Sequence, residues 1–139
     1  MSFLPTPVHV SVPATSANLG PGYDCLGLAL EWRDELTAQV GGDRLRITVE
    51  GENAAGVPRD ASHLVVQAME RGFRAMNLPT PGLALHCVNA VPHARGLGSS
   101  ASAIVGGLSL ARSLVADEGE RLGYSELGHG FFRLSLRYG

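Results

Sequence analysis

A chain of 139 residues is long enough for one domain burying about two-thirds of the surface its unfolded form exposes, so it needs no disulfide or metal to fold. Hydrophobic residues make up 45%, charged residues 17%, and the net charge is −2, which fits a soluble globular protein and excludes a basic nucleic-acid footprint. Cys25 and Cys87 are too few for a disulfide framework and have no metal-ligand spacing, so they read as buried, reduced thiols of a cytosolic protein. The opening Met1-Ser2-Phe3-Leu4-Pro5 lacks the basic and apolar regions of a signal peptide, and no apolar run reaches membrane-spanning length. A cytoplasmic chain with neither a nucleic-acid nor a membrane partner is expected.

In chain order, Val8, Val10 and Val12 alternate with His9 and Ser11, the pattern of a half-buried strand that should stop at Pro13. A glycine-rich loop follows. Leu26 to Trp32, Glu35 to Val40 and Leu45 to Val49 read as further strands, the last two joined into a hairpin by the turn Gly41-Gly42-Asp43. From Leu64 the apolar residues Val65, Ala68, Met69, Gly72, Phe73 and Met76 keep helical spacing, and Ser62 is the expected N-cap. Leu83 to Val91 returns to strand.

A second helix should run from Ser99 to about Val115, with Ile104, Val105, Leu108, Ala111 and Val115 facing inward. Gly106-Gly107 weaken its middle by up to ~1 kcal/mol each relative to alanine, which points to close packing on a sheet. The fold class is α+β in two layers. After Glu120, four scattered glycines, Phe131, Phe132 and three arginines show no sustained periodicity. Poor order is expected there, with a short strand from Phe131 to Tyr138 as the competing reading.

Two loops carry the chemistry. Gly96-Leu97-Gly98-Ser99-Ser100-Ala101 combines permissive backbone, two hydroxyls and a helix start, whose unpaired amides present about half a positive charge. That combination suits phosphate. The same string fits the G-x-G-x-x-A dinucleotide fingerprint, with Asp117, Glu118 and Glu120 at roughly the right distance for its ribose-binding acid. Against that reading, Pro92-His93-Ala94-Arg95 separate the glycines from their strand, and no second strand precedes Asp117. A Walker loop requires a lysine, and all 11 basic residues are arginines. A Gly-Ser turn capping an ordinary helix stays open as well.

The other loop is Pro13-Ala14-Thr15-Ser16-Ala17-Asn18-Leu19-Gly20-Pro21-Gly22-Tyr23-Asp24, dense in turn formers between two apolar strands. Asn18 offers a donor and an acceptor, and Asp24 a charge that can pair with an ammonium group; both can equally stabilise turns through their own backbone.

Together, Pro13 to Asp24 and Pro92 to Ala101 resemble the GHMP small-molecule kinases. Within that family, the first segment is typical of the homoserine kinases, whereas P-x-x-x-G-L-G-S-S-A is shared with mevalonate kinases and galactokinases. Arg59-Asp60 through Ser62-His63-Leu64-Val65-Val66 resembles the family's D-x-S-N-L-V stretch, with His63 where asparagine is expected.

The resemblance implies the fold of a GHMP-kinase N-terminal domain, similar to domain 2 of ribosomal protein S5, over residues 1–118. Residues 119–139 would form a divergent tail. It also implies an ATP site at Pro92, Arg95, Gly96, Leu97, Gly98, Ser99, Ser100 and Ala101, with Ser100 in the Mg²⁺ shell and L-homoserine held by Asn18 and Asp24. The expected activity is ATP-dependent phosphorylation of L-homoserine to O-phospho-L-homoserine for threonine synthesis. No residue is assigned as a catalytic acid or base.

Beyond Val115 the resemblance ends. Family members continue into an E-G-H-P-D-N-x-A-P segment, which supplies a Mg²⁺-binding glutamate, and into a C-terminal domain; Ser125 to Gly130 has no such sequence. A truncation or reading-frame break is the expected cause, leaving a nucleotide-binding domain without catalysis as the alternative function. Exposed apolar surface at the missing junction would favour homo-oligomers or self-association.

Overall fold

The computed structural model describes residues 3–17, 27–51, 54–90 and 99–116. Four strands and two helices follow in chain order: β1 (Val8–Ala17), β2 (Gly27–Val40), β3 (Leu45–Gly51), α1 (Leu64–Ala75), β4 (Leu83–Asn89) and α2 (Ser99–Leu114), with a short 3₁₀ turn at Ala54–Gly56. The strands form one sheet in the order β1-β2-β4-β3. Pairing is antiparallel between β1 and β2 and between β2 and β4, and parallel between β4 and β3. Both helices pack on one face, so the two-layer α+β expectation holds.

Three strand expectations are corrected. Pro13 does not end β1, which continues to Ala17 opposite Gly27. β1 is an edge strand and the register shifts between Pro13 and Thr15, so the missing proline N–H falls at an irregularity where a ladder bond is already lost. The two predicted strands before Gly41 are one, β2.

Nor do β2 and β3 form a hairpin. β4 lies between them, with Ala38 opposite Leu85 on one side and Ile47 opposite Leu85 on the other. The turn after Val40 spans the start of β4: Gly41 N–H donates to the Gly82 carbonyl at 3.0 Å, and a Cβ on Gly82 would sit 2.3 Å from the Gly42 oxygen. Turn chemistry alone does not reveal an inserted strand.

Strand alternation sends Leu36 and Ala38 from β2, Ile47 and Val49 from β3, and Leu83, Leu85 and Cys87 from β4 to the helical face. There they meet Val65, Met69 and Phe73 of α1, as the helical spacing predicts, and Val66, which that spacing left out, together with Leu110, Ala111 and Leu114 of α2. The opposite face is polar. On it, His9 Nε2 lies 2.6 Å from Glu35 Oε2, Ser11 Oγ donates to Glu35 Oε1 at 2.9 Å, and Arg33 Nε donates to Ser11 Oγ at 2.7 Å.

The N-cap of α1 is His63 rather than Ser62. Its Nδ1 accepts the Val65 amide at 3.2 Å, while the Ser62 amide donates to Asp60 Oδ1 at 2.8 Å. Ser62 is thus committed to the preceding Asx turn. The Ser62 hydroxyl and amide hold the Asp60 carboxyl below its ordinary range, so their stabilisation is present above the unfolded value and fades as pH falls through the folded one. His63→Ala should destabilise the chain by about 1 kcal/mol, and His63→Asn, which restores a short acceptor, should stay near wild type in urea denaturation.

Cys87 is a buried thiol, pushed up to about 12 by burial and by the nearby Asp34 charge. In a Cys25→Ser chain, Cys87 should resist iodoacetamide at pH 8 until denaturant is added. Rapid native-state labelling would contradict its burial.

Candidate functional site

β1 and β4 run in one direction and β2 in the other, so β1 ends, β2 begins and β4 ends at the same side of the sheet. The start of α2 joins them. Ser102, buried in the first turns of α2, donates its Oγ to the Pro13 carbonyl at 3.0 Å, whereas Leu4 N–H bonds the Leu114 carbonyl at 2.8 Å at the far end. The helix therefore runs antiparallel to β1, with the amides of Ser99, Ser100 and Ala101 opening it on the side where β1 and β4 stop.

Its close approach is set by glycine. A Cβ on Gly106 would lie 2.3 Å from Leu36 Cδ1 of the sheet, and one on Gly107 would lie 2.5 Å from the Val65 carbonyl oxygen of α1. The expected packing on the sheet holds for Gly106, whereas Gly107 packs on α1 instead. Ile104, Leu108, Ala111 and Val115 are buried as predicted, but Val105 is 43% exposed. The predicted stripe follows 104, 108, 111 and 115; residues 102, 106, 107, 110 and 114 are buried as well, and position 105 falls on the side of the helix that none of these occupies.

Of the predicted site residues, the backbone of Ser99, Ser100 and Ala101 lies in the first turn of α2. Asn18 and Asp24 lie outside the described residues, as do Pro92, Arg95, Gly96, Leu97 and Gly98. Two segments thus bridge described ends at one side of the sheet: residues 18–26 between Ala17 and Gly27, which pair with each other, and residues 91–98 between Ala90 and Ser99. The first turn of a helix carries amides without intrahelical acceptors, and at this position they suit an anion.

Sequence reasoning missed Asp34. It is 7% exposed, on the core-facing register with Leu36 and Ala38, and its Oδ1 accepts the Ala90 amide at 2.8 Å. The signal was available: a carboxylate two residues before Leu36 falls on the apolar face of the strand, where an unpaired charge is costly. Ser102 was also legible in principle, as a polar residue one turn before Gly106 on the sheet-facing side of α2.

Residues 63–131 match the family model described as the GHMP kinases N terminal domain. The chain is 55% identical over 106 residues to a homoserine kinase of Mycobacterium sp. (strain KMS), covering 76% of this chain and 34% of that protein. It is 53% identical over 119 residues to a homoserine kinase of Rhodococcus erythropolis, covering 86% and 38%. A crystal structure of homoserine kinase from Cytophaga hutchinsonii superposes with a TM-score of 0.78 at 26% identity, over 94% of this chain and 41% of that one.

The chain belongs to the GHMP kinase family.

It spans about a third of the length of the curated relatives it matches. Family membership removes the dinucleotide-fold alternative for Gly96 to Ala101. The sheet itself argues the same way. Antiparallel β1-β2 and β2-β4 pairs are incompatible with the all-parallel mononucleotide-binding half that such a fingerprint requires. Among the described residues, no helix is long and apolar enough to cross a membrane.

Proposed function

We propose that this chain is the nucleotide-binding portion of a homoserine kinase, transferring the γ-phosphoryl group of ATP to the side-chain hydroxyl of L-homoserine. The observation that carries this reading is the 52–55% identity to homoserine kinases over 106–119 residues. The homoserine oxygen forms the new bond to γ-phosphorus, the bond to the β,γ-bridging oxygen breaks, ADP leaves and the hydroxyl proton is released. The products are ADP and O-phospho-L-homoserine, a precursor class for threonine synthesis in the cytoplasm.

Phosphoryl transfer asks the protein mainly for positioning and charge neutralisation. In this reading Pro92, Arg95, Gly96, Leu97, Gly98, Ser99, Ser100 and Ala101 surround the ATP phosphates, with α2 aiming its free amides at them. Asp24 faces the α-ammonium of homoserine and Asn18 its remaining polar groups. Mg²⁺ would arrive with ATP, and the Ser100 hydroxyl would be the chain's contribution to holding it. Mg²⁺ supplies charge neutralisation on the β and γ phosphates.

The test is direct: purified chain, Mg-ATP and L-homoserine, with phosphohomoserine followed by ³¹P NMR. Product that disappears in Ser100→Ala supports the kinase reading. ATP binding without product supports the alternative, a non-catalytic nucleotide-binding domain, and tight NAD binding without ATP binding would defeat both. Two further parts of this reading have their own measurements. Limited proteolysis should cut within residues 119–139 and spare 1–118, and a sedimentation series should show self-association, which a monomer at every concentration would contradict.

A further inference from the structure

The geometry points to Asp34 as a positioning residue for the phosphate-binding segment, acting through the backbone where β4 leaves the sheet; this rests on the kinase reading above. The ladder between β2 and β4 runs from Val40 opposite Leu83 to Glu35 opposite Val88. Beyond it, among the described residues, β2 continues on β1 alone, back to Gly27. The next outward-running backbone donor of β4 is the Ala90 amide, and the Asp34 carboxylate takes it at 2.8 Å. A side chain thus supplies the acceptor at the point where the β2–β4 ladder ends.

That bond has a counterpart across the segment. Ala90 precedes residues 91–98 and Ser99 follows them, and α2 is tied to β1 by the Ser102 to Pro13 bond at 3.0 Å. Asp34 and Ser102 therefore fix the two backbone ends between which the phosphate-binding residues must reach, one on β2 and one on β1. Direct phosphate contact by Asp34 is disfavoured, because its carboxylate is buried, is engaged with Ala90 and has the same charge sign as phosphate. Its effect on ATP comes through geometry, so an uncharged acceptor should serve nearly as well.

The test compares Asp34→Asn and Asp34→Ala in the full chain. In the ligand-free protein, amide exchange at Ala90 should quicken at least about tenfold in Asp34→Ala and stay within about threefold of wild type in Asp34→Asn, with Leu85 unchanged in both. Mg-ATP affinity should fall about tenfold or more in Asp34→Ala, and stay within about threefold in Asp34→Asn. Three results overturn the inference: Mg-ATP affinity intact in a folded Asp34→Ala, Asp34→Asn failing as badly as Asp34→Ala, or Ala90 exchange indifferent to both.

If the wild-type chain does not bind Mg-ATP, the kinase reading falls by itself. The positional statement is then decided on the ligand-free protein. It stands if Asp34→Ala alters both Ala90 exchange and the amide shifts of Ser99 to Ser102, and falls if it alters neither or only the first.

Discussion

Gly107→Ala is expected to destabilise the chain by about 1–3 kcal/mol, although alanine is the better helix former by up to ~1 kcal/mol. The new Cβ would stand 2.5 Å from the Val65 carbonyl oxygen and 2.6 Å from Ala68 Cβ. Neither obstacle can rotate away, because one is backbone and the other is the first side-chain atom of a fully buried alanine. Relief requires α1 and α2 to separate. That movement would also carry the start of α2 away from Pro13, so Mg-ATP binding should weaken together with the urea midpoint. Gly41, whose added Cβ would meet nothing within 4 Å, is the control: Gly41→Ala should leave both measurements near wild type. A Gly107→Ala chain as stable as wild type would refute the close crossing of the helices.

Phe73→Ala should have the larger effect on stability, about 3–5 kcal/mol. Phe73 is fully buried in α1, and its ring meets Phe3 edge-to-face at 5.5 Å with the planes 84° apart. Phe3 itself bridges to Val115 at the end of α2, so this one ring joins the N-terminal segment, α1 and the far end of α2. Domains of this size are stable by only about 5–15 kcal/mol, and the substitution removes a large part of that margin. Urea denaturation monitored by circular dichroism reads the change; a loss under about 1 kcal/mol would show that the cavity collapses freely or that the ring is not packed as described. Phe73→Leu, which keeps most of the volume, should lose less.

Local periodicity made much of the fold legible. Val65, Ala68, Met69, Gly72 and Phe73 marked the buried face of α1 directly, and Gly106-Gly107 announced a close contact before either partner was known. What periodicity could not supply was adjacency. Gly41-Gly42-Asp43 has the composition of a hairpin turn whether or not a third strand lies between its arms, and the arms are separated because Leu83, Leu85 and Cys87 need core on one face and ladder partners on both sides. Caps were similarly local but ambiguous: Ser62 and His63 both carry acceptors, and the choice fell to His63 because Asp60 had already engaged Ser62.

The proposed phosphate-binding motif was readable as a string, since Gly96 to Ala101 needs only glycine freedom, hydroxyls and a helix start. Its supports were less visible. Asp34 is 56 positions from Ala90 and Ser102 is 89 from Pro13, and no short-range pattern reports a hydrogen bond across such distances. A polar residue in an apolar register signals that a partner exists without saying which.

The sequence by itself determined the element types, most of the core-facing positions and the family, because those rest on local spacing and on short motifs. Tertiary structure decided the strand order, the capping residue, the exposure of Val105 and the joining of β2 to the end of β4. Those depend on which surfaces meet, and close packing with satisfied buried polar groups selects among alternatives that are locally equivalent.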